Sequence, residues 1–158
     1  MKITLLVVGK AGTLVADAVA EFERRAARYW SLDVIEVKEE RAKKGLSDTQ
    51  VRAAESTRLL EKVPAGAEIV ALTRSGATWS SNQLADYLQR LAVEGRAGAA
   101  FVIGGALGLS DELIAKAGRQ LSISPMTLTH ELARLILTEQ LYRAGTIVRG
   151  EPYHKARS

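Results

Sequence analysis

Apolar positions along this chain follow two alternating rhythms. Lys2–Gly9 (KITLLVVG) is a short, β-branched apolar run, too short for a helix, and predicts a buried strand. Over Leu14–Trp30 the period changes: Val15, Ala18, Val19, Phe22, Ala26 and Tyr29 recur at helical spacing, with charges on the opposite face. Ser31–Val37 returns to a strand pattern, and the polar stretch Lys38–Leu46 predicts a mobile basic loop. Ser47-Asp48-Thr49-Gln50 has the spacing in which a serine oxygen and a glutamine side chain satisfy the free amides of a helix start. A helix over Asp48–Lys62 follows, stopped by Pro64 and Gly66. Glu68–Thr73 reads as a third strand. Ser80-Ser81-Asn82-Gln83 then repeats the capping pattern before a helix over Ser81–Val93 that Gly95 ends. The remainder predicts a strand at Ala99–Ile103, a short helix at Asp111–Ala117 capped by Ser110, a strand at Gln120–Ser124 and a last helix over Thr127–Arg143.

Strands alternating with helices predict an α/β fold, a mostly parallel sheet of five to six strands with helices on both faces. No internal repeat, low-complexity tract or linker divides the 158 residues, so they read as one domain, 1–158, ending in a short basic tail from about residue 145. The order of the strands is not contained in the periodicity. Ligands of open α/β sheets sit beyond the carboxyl ends of the strands. Three segments belong there: Leu72-Thr73-Arg74-Ser75-Gly76, Gly104-Gly105-Ala106-Leu107-Gly108 and Ile123-Ser124-Pro125-Met126-Thr127. Glycines straight after a strand let the backbone come within hydrogen-bonding range of a ligand. The same residues also suit a tight strand-to-helix turn with no ligand.

Composition narrows the chemistry. The chain has no cysteine, which excludes disulfides, thiolate zinc sites and a cysteine nucleophile, and its two histidines, His130 and His154, leave little for a metal site. The opening apolar run is short for a signal segment and is interrupted by Lys10; the longest uncharged run, Gly98–Leu109, is well below the ~20 residues that cross a bilayer, so a soluble cytoplasmic protein is expected. The net charge of +4 permits an anionic partner without requiring one. Near the end, Arg143, Arg149, Lys155 and Arg157 stand against Glu151 alone, and a second basic cluster lies over Arg24–Lys44. Either cluster is equally a solvated surface. Neither a dinucleotide fingerprint after the first strand nor a phosphate-loop or nucleophile-elbow signature is present. A pocket of backbone amides and apolar side chains suits a neutral adenine with a compact, partly apolar substituent.

FVIGGALGL, LSISPMTLTHELARLILTEQLYRA and IVRGEPYHK resemble the signature blocks of the pseudouridine N3-methyltransferases of large-subunit (23S) ribosomal RNA, a branch of the SPOUT methyltransferases. MKITLLVVGK, Ile69–Leu72 and Gly76–Ser80 carry the resemblance across essentially the whole chain. It implies a trefoil knot near the C-terminus, a homodimer and S-adenosylmethionine as methyl donor. By family pattern the donor is held by Leu72, Gly104, Ile123, Ser124, Pro125, Met126, Thr127 and Leu128, the strand-end segments already singled out.

The chemistry so implied is attack by N3 of a pseudouridine on the methyl carbon, on assembled ribosomes. Such transfer rests on alignment and a deprotonated N3 more than on covalent help. Tyr153 is then placed to stack on or hydrogen-bond the base, His154 to take the N3 proton, and Arg143 to lower the effective N3 pKa; Arg149 and Lys155 are candidate phosphate contacts. The plainer alternative is that Tyr153 and His154 pin the tail to the body. Glu139, four residues before Arg143, reads as half of a surface ion pair, and His130 as structural. Thr129-His130-Glu131 departs from relatives that carry proline and glutamine around this histidine, which bears on loop rigidity. Leu128, Leu132, Leu135, Ile136 and Leu141 exceed what one buried helix face needs and fit packing on a second protomer. A non-catalytic ribosome-binding protein of the same fold is the alternative to an enzyme.

Overall fold

The computed structural model describes residues 1–41 and 45–155; Ala42, Lys43 and Lys44 of the expected basic loop, and 156–158 with Arg157, lie outside the described residues. The chain alternates as predicted: β1 Lys2–Val8, α1 Ala16–Ala26, β2 Ser31–Val37, α2 Asp48–Glu61, β3 Glu68–Thr78, α3 Ser81–Val93, β4 Gly98–Ile103, α4 Asp111–Lys116, β5 Arg119–Ser122 and α5 His130–Val148. Among the described residues the sheet has five strands in the order β2-β1-β4-β3-β5, and every ladder is parallel.

Period two along the strands divides the core between the two faces of the sheet. Ile3, Leu5 and Val7 of β1, with Phe101 and Ile103 of β4, pack with Leu88 of α3 and Leu137 and Leu141 of α5. Leu6 and Val8, with Ala100 and Val102, face Leu59 of α2 and Leu113 of α4. Both predicted capping boxes form: Ser47 accepts from the Gln50 amide and Ser80 from the Gln83 amide, and each glutamine reaches back to its serine. Among the described residues no helix is long and apolar enough to cross a membrane.

Two elements depart from the sequence pattern. β3 continues to Thr78 instead of stopping at Thr73, because the strand leaves its ladder after Leu72 and rejoins β5 at Ala77. Gly76 makes this possible, since a Cβ there would lie 2.7 Å from the Gln120 backbone. The last helix is displaced along the chain, starting at His130 and ending at Val148. Thr129 sets its start by accepting the Leu132 amide on Oγ1 (3.2 Å). Its end runs past Arg143 because Ala144, Gly145 and Thr146 are buried, with the Tyr29 side chain seated on the bare backbone of Gly145.

Candidate functional site

The carboxyl ends of β3, β4 and β5 open into one cleft of about 370 Å³, a size at which small-ligand sites begin. Its rim after β4 is the predicted glycine turn. Gly108 N–H donates to the Gly105 carbonyl (3.0 Å), and a Cβ on Gly104 would lie 2.6 Å from the Gly108 carbonyl carbon. Gly108 has φ +83°, a backbone that side chains rarely adopt. Behind the turn, Ser110 N–H donates to Ser56 Oγ of α2 (2.9 Å), while Ser110 Oγ caps α4 by accepting from Leu113.

The opposite wall is the segment between β5 and α5. Ser124 Oγ accepts from the Met126 amide (3.0 Å), Arg74 donates to Thr127 Oγ1 (3.1 Å), and Ser122 Oγ donates to the Arg74 carbonyl (3.0 Å). Leu72, Gly104, Ile123, Ser124, Met126, Thr127 and Leu128 all border the cleft; Pro125 shapes the turn without lining it. Apolar Leu72, Ile103, Ile123 and Leu128 with exposed backbone polar groups suit a flat heteroaromatic ring, and the tight glycine approach leaves its rim free of side chains. The structure adds Arg74 and His130 to the lining. Arg74 belongs to the strand-end segment singled out in the sequence, without a role of its own there. His130 follows the helix start displaced by the Thr129 cap.

Two buried charged side chains near these elements, Arg134 and Glu55, differ in setting. Arg134 is 6% exposed and ion-paired to Glu23 (2.8 Å) and Glu36 (2.7 Å), tying α5 to α1 and β2. Glu55 of α2 is 3% exposed, and burial pushes its carboxyl pKa up; Oε2 accepts from the Glu40 amide (3.1 Å), whereas Oε1 has no hydrogen-bond partner among the described residues.

The tail residues gather at the other end of α5. Glu139 Oε1 accepts from Arg143 Nη2 (2.6 Å) and Nε (3.0 Å) and from the Tyr153 hydroxyl (3.1 Å). Glu139 is therefore the anchor of the tail and not half of a plain surface pair. The Arg143 guanidinium lies 4.7 Å from the Tyr153 ring centre and 3.2 Å from His154 Nδ1. Burial, reinforced by Glu139, raises the Tyr153 pKa, and the hydrogen bond to Glu139 raises that of Arg143. Tyr153 also packs on Tyr142 (4.5 Å between centres), and Glu151 accepts from Tyr29. Arg149 lies over the Tyr29 ring (4.7 Å), and Lys155 is exposed. Arg143, Tyr153 and His154 thus form one cluster, apart from the cleft. From Ala133, the lining residue of α5 furthest along the helix, to Arg143 the helix rises about 15 Å at 1.5 Å per residue.

An open parallel sheet with a backbone-built cleft beyond β3, β4 and β5 defines an α/β protein of the small-ligand-binding kind. The chain belongs to the SPOUT methyltransferases: the family model "Predicted SPOUT methyltransferase" matches residues 1–154. It is 51% identical to "Ribosomal RNA large subunit methyltransferase H" of Gemmatimonas aurantiaca, over 98% of this chain and 100% of that protein. A Bacillus pumilus protein of the same name is 42% identical over 98% of this chain and 100% of its own length. Among solved structures, a probable methyltransferase from Bordetella pertussis shares the fold at TM-score 0.56 and 18% identity, covering 90% of this chain and 95% of that one.

Proposed function

We propose that the protein is an S-adenosylmethionine-dependent methyltransferase of large-subunit ribosomal RNA, methylating N3 of a pseudouridine on assembled ribosomes as a cytoplasmic homodimer knotted near its C-terminus. One observation carries the reading: Leu72, Gly104 and the 123–128 segment, far apart in sequence, border a single cleft, in a chain whose full-length relatives are named as ribosomal RNA methyltransferases.

The residues present fit the donor. The Gly104–Gly108 rim leaves room for a ligand against bare backbone, and Leu72, Ile123 and Leu128 provide the apolar faces that hold an adenine. When bound, S-adenosylmethionine supplies a methyl group activated by a positive sulfur. The chain's part is to fix the cleft: Ser124 braces the Met126 amide, Thr127 is held by Arg74, and Ser56 holds the turn from behind.

The tail cluster is the acceptor side in this reading. Arg143 presents a permanent positive charge, which favours the deprotonated form of a nearby N3. A guanidinium only donates, so His154 accepts on Nδ1 and carries its own proton on Nε2. In that state His154 is a hydrogen-bond donor to the base; taking the N3 proton on Nδ1 requires the Arg143 contact to open. Tyr153, kept neutral, offers a ring face beside Arg143, with Arg149 and Lys155 as exposed cations for phosphate. About 15 Å of α5 separates Arg143 from its own cleft, so a complete site takes the cleft of one protomer and the tail of its partner. Exposed Met126 (74%) and Leu132 (41%) beside the cleft support such a face between copies.

The test is transfer of labelled methyl from S-adenosylmethionine to ribosomes from a strain lacking the enzyme, with ribosomes lacking pseudouridine as control. Label in large-subunit RNA only when pseudouridine is present is the expected result. No label despite measurable donor binding would overturn the acceptor assignment.

A further inference from the structure

We propose that Glu55 is the counter-charge by which the cleft prefers a cationic methyl donor to its neutral product; this rests on the donor reading above. Its carboxylate stands behind the glycine turn. A Cβ built on Gly105 would lie 2.9 Å from Glu55 Oε1 and 3.2 Å from Oε2, so the carboxylate stands directly against the bare backbone of the rim. The next residue, Ser56, is 2% exposed and holds the Ser110 amide at the exit of the same turn. Two consecutive buried polar side chains of α2 therefore back the ligand rim, which packing alone does not call for.

Half of this carboxylate is unused. Oε2 takes the Glu40 amide, but Oε1, on a residue 3% exposed, has no hydrogen-bond partner among the described residues. Among the described residues it has no ion pair: of the two guanidiniums three residues away on α2, Arg58 is turned to Glu40 and to the Lys38 carbonyl (2.9 Å), and Arg52 to Thr49 Oγ1 (3.3 Å). Glu39 adds negative potential from the β2 end, and Arg58 and His130 act in the opposite sense. A buried carboxylate without a full set of partners is costly until a positive charge arrives nearby. Donor and product differ in that respect: S-adenosylmethionine carries a sulfonium cation, S-adenosylhomocysteine a neutral thioether. A unit charge within about 10 Å of Oε1, at an effective dielectric near 20, is favoured by roughly tenfold in affinity. Glu55 thereby holds the donor and lets the spent product go, without touching either.

The experiment measures the dissociation constants of S-adenosylmethionine and S-adenosylhomocysteine by calorimetry for the full chain, Glu55→Gln and Glu55→Asp. Glu55→Gln weakens donor binding roughly tenfold and leaves product binding unchanged, and the unchanged product affinity shows that the cleft is intact. Glu55→Asp, which keeps the charge, retains the donor preference. Parallel loss of both ligands in Glu55→Gln, or no loss of either, overturns the proposal. Failure of the wild-type chain to bind either ligand instead overturns the donor reading beneath it.

Discussion

Arg143 Nη1 and His154 Nδ1 are 3.2 Å apart, and this contact joins the last helix to the tail through the one ring nitrogen left to accept. It also closes a chain of partners from Glu139 through Arg143 and Tyr153 to His154. Arg143→Ala is expected to leave donor affinity within twofold and to lower kcat for ribosome methylation by about 100-fold or more, within the range of removing one positioned electrostatic group. Glu139→Gln, which keeps the shape and weakens the anchor, should fall between that variant and wild type. Equal loss of donor binding in Arg143→Ala would assign the cluster to the cleft and refute the separation of roles.

Gly104 is the position where the cleft has least tolerance. Adding one methyl by Gly104→Ala puts Cβ 2.6 Å from the Gly108 carbonyl carbon, and neither backbone can yield without moving the turn. Donor affinity should fall at least tenfold while the far-ultraviolet spectrum stays that of wild type. Gly104→Val should abolish binding. Unchanged affinity by calorimetry would remove the turn from the donor site.

Because helix length keeps each tail away from its own cleft, two defective chains should repair one another. A heterodimer of Gly104→Val and a chain ending at Pro152 contains one intact cleft facing one intact tail. Expected activity is about half that of wild type per dimer, where each parent homodimer is inactive. No recovery in the isolated heterodimer would show that cleft and tail act within one chain.

Glu55 links the cleft to stability through pH. Its folded pKa is raised by burial, so the folded chain binds its proton more tightly than the unfolded one. Stability from this group is complete below the ordinary glutamate range and declines as pH climbs through the raised value. Glu55→Gln, which cannot ionise, should therefore be the more stable protein at pH 7 to 8 and lose that advantage as pH falls below about 4.5, near the ordinary glutamate pKa. Thermal midpoints of both proteins across this range check the sign; a wild type that gains on the variant as pH rises would refute it.

Much of the architecture was legible because local rules and global fold agree. Ser47 and Ser80 cap where their spacing with Gln50 and Gln83 says they should, and Ile3, Leu5, Leu6 and Phe101 are buried as their strand periods require. The three strand-end segments were recognisable because glycine after a strand and a proline-containing turn before a helix are backbone features written in residue type. What periodicity does not carry is anything set by contacts between distant segments. The order β2-β1-β4-β3-β5, the re-entry of β3 at Ala77, and the extension of α5 through Gly145 under Tyr29 are such cases. Glu139 looked like an i,i+4 surface pair, since that spacing is local, yet a tail arriving from beyond the helix end makes it an anchor. Nothing in the local sequence singles out Glu55, and only the fold set its carboxylate against Gly105. Residue type and spacing determined the elements, their caps and the backbone of the cleft, because those are short-range properties. Tertiary structure decided which groups are buried without partners and which cluster lies out of reach of which cleft, because burial and distance exist only once the chain has packed.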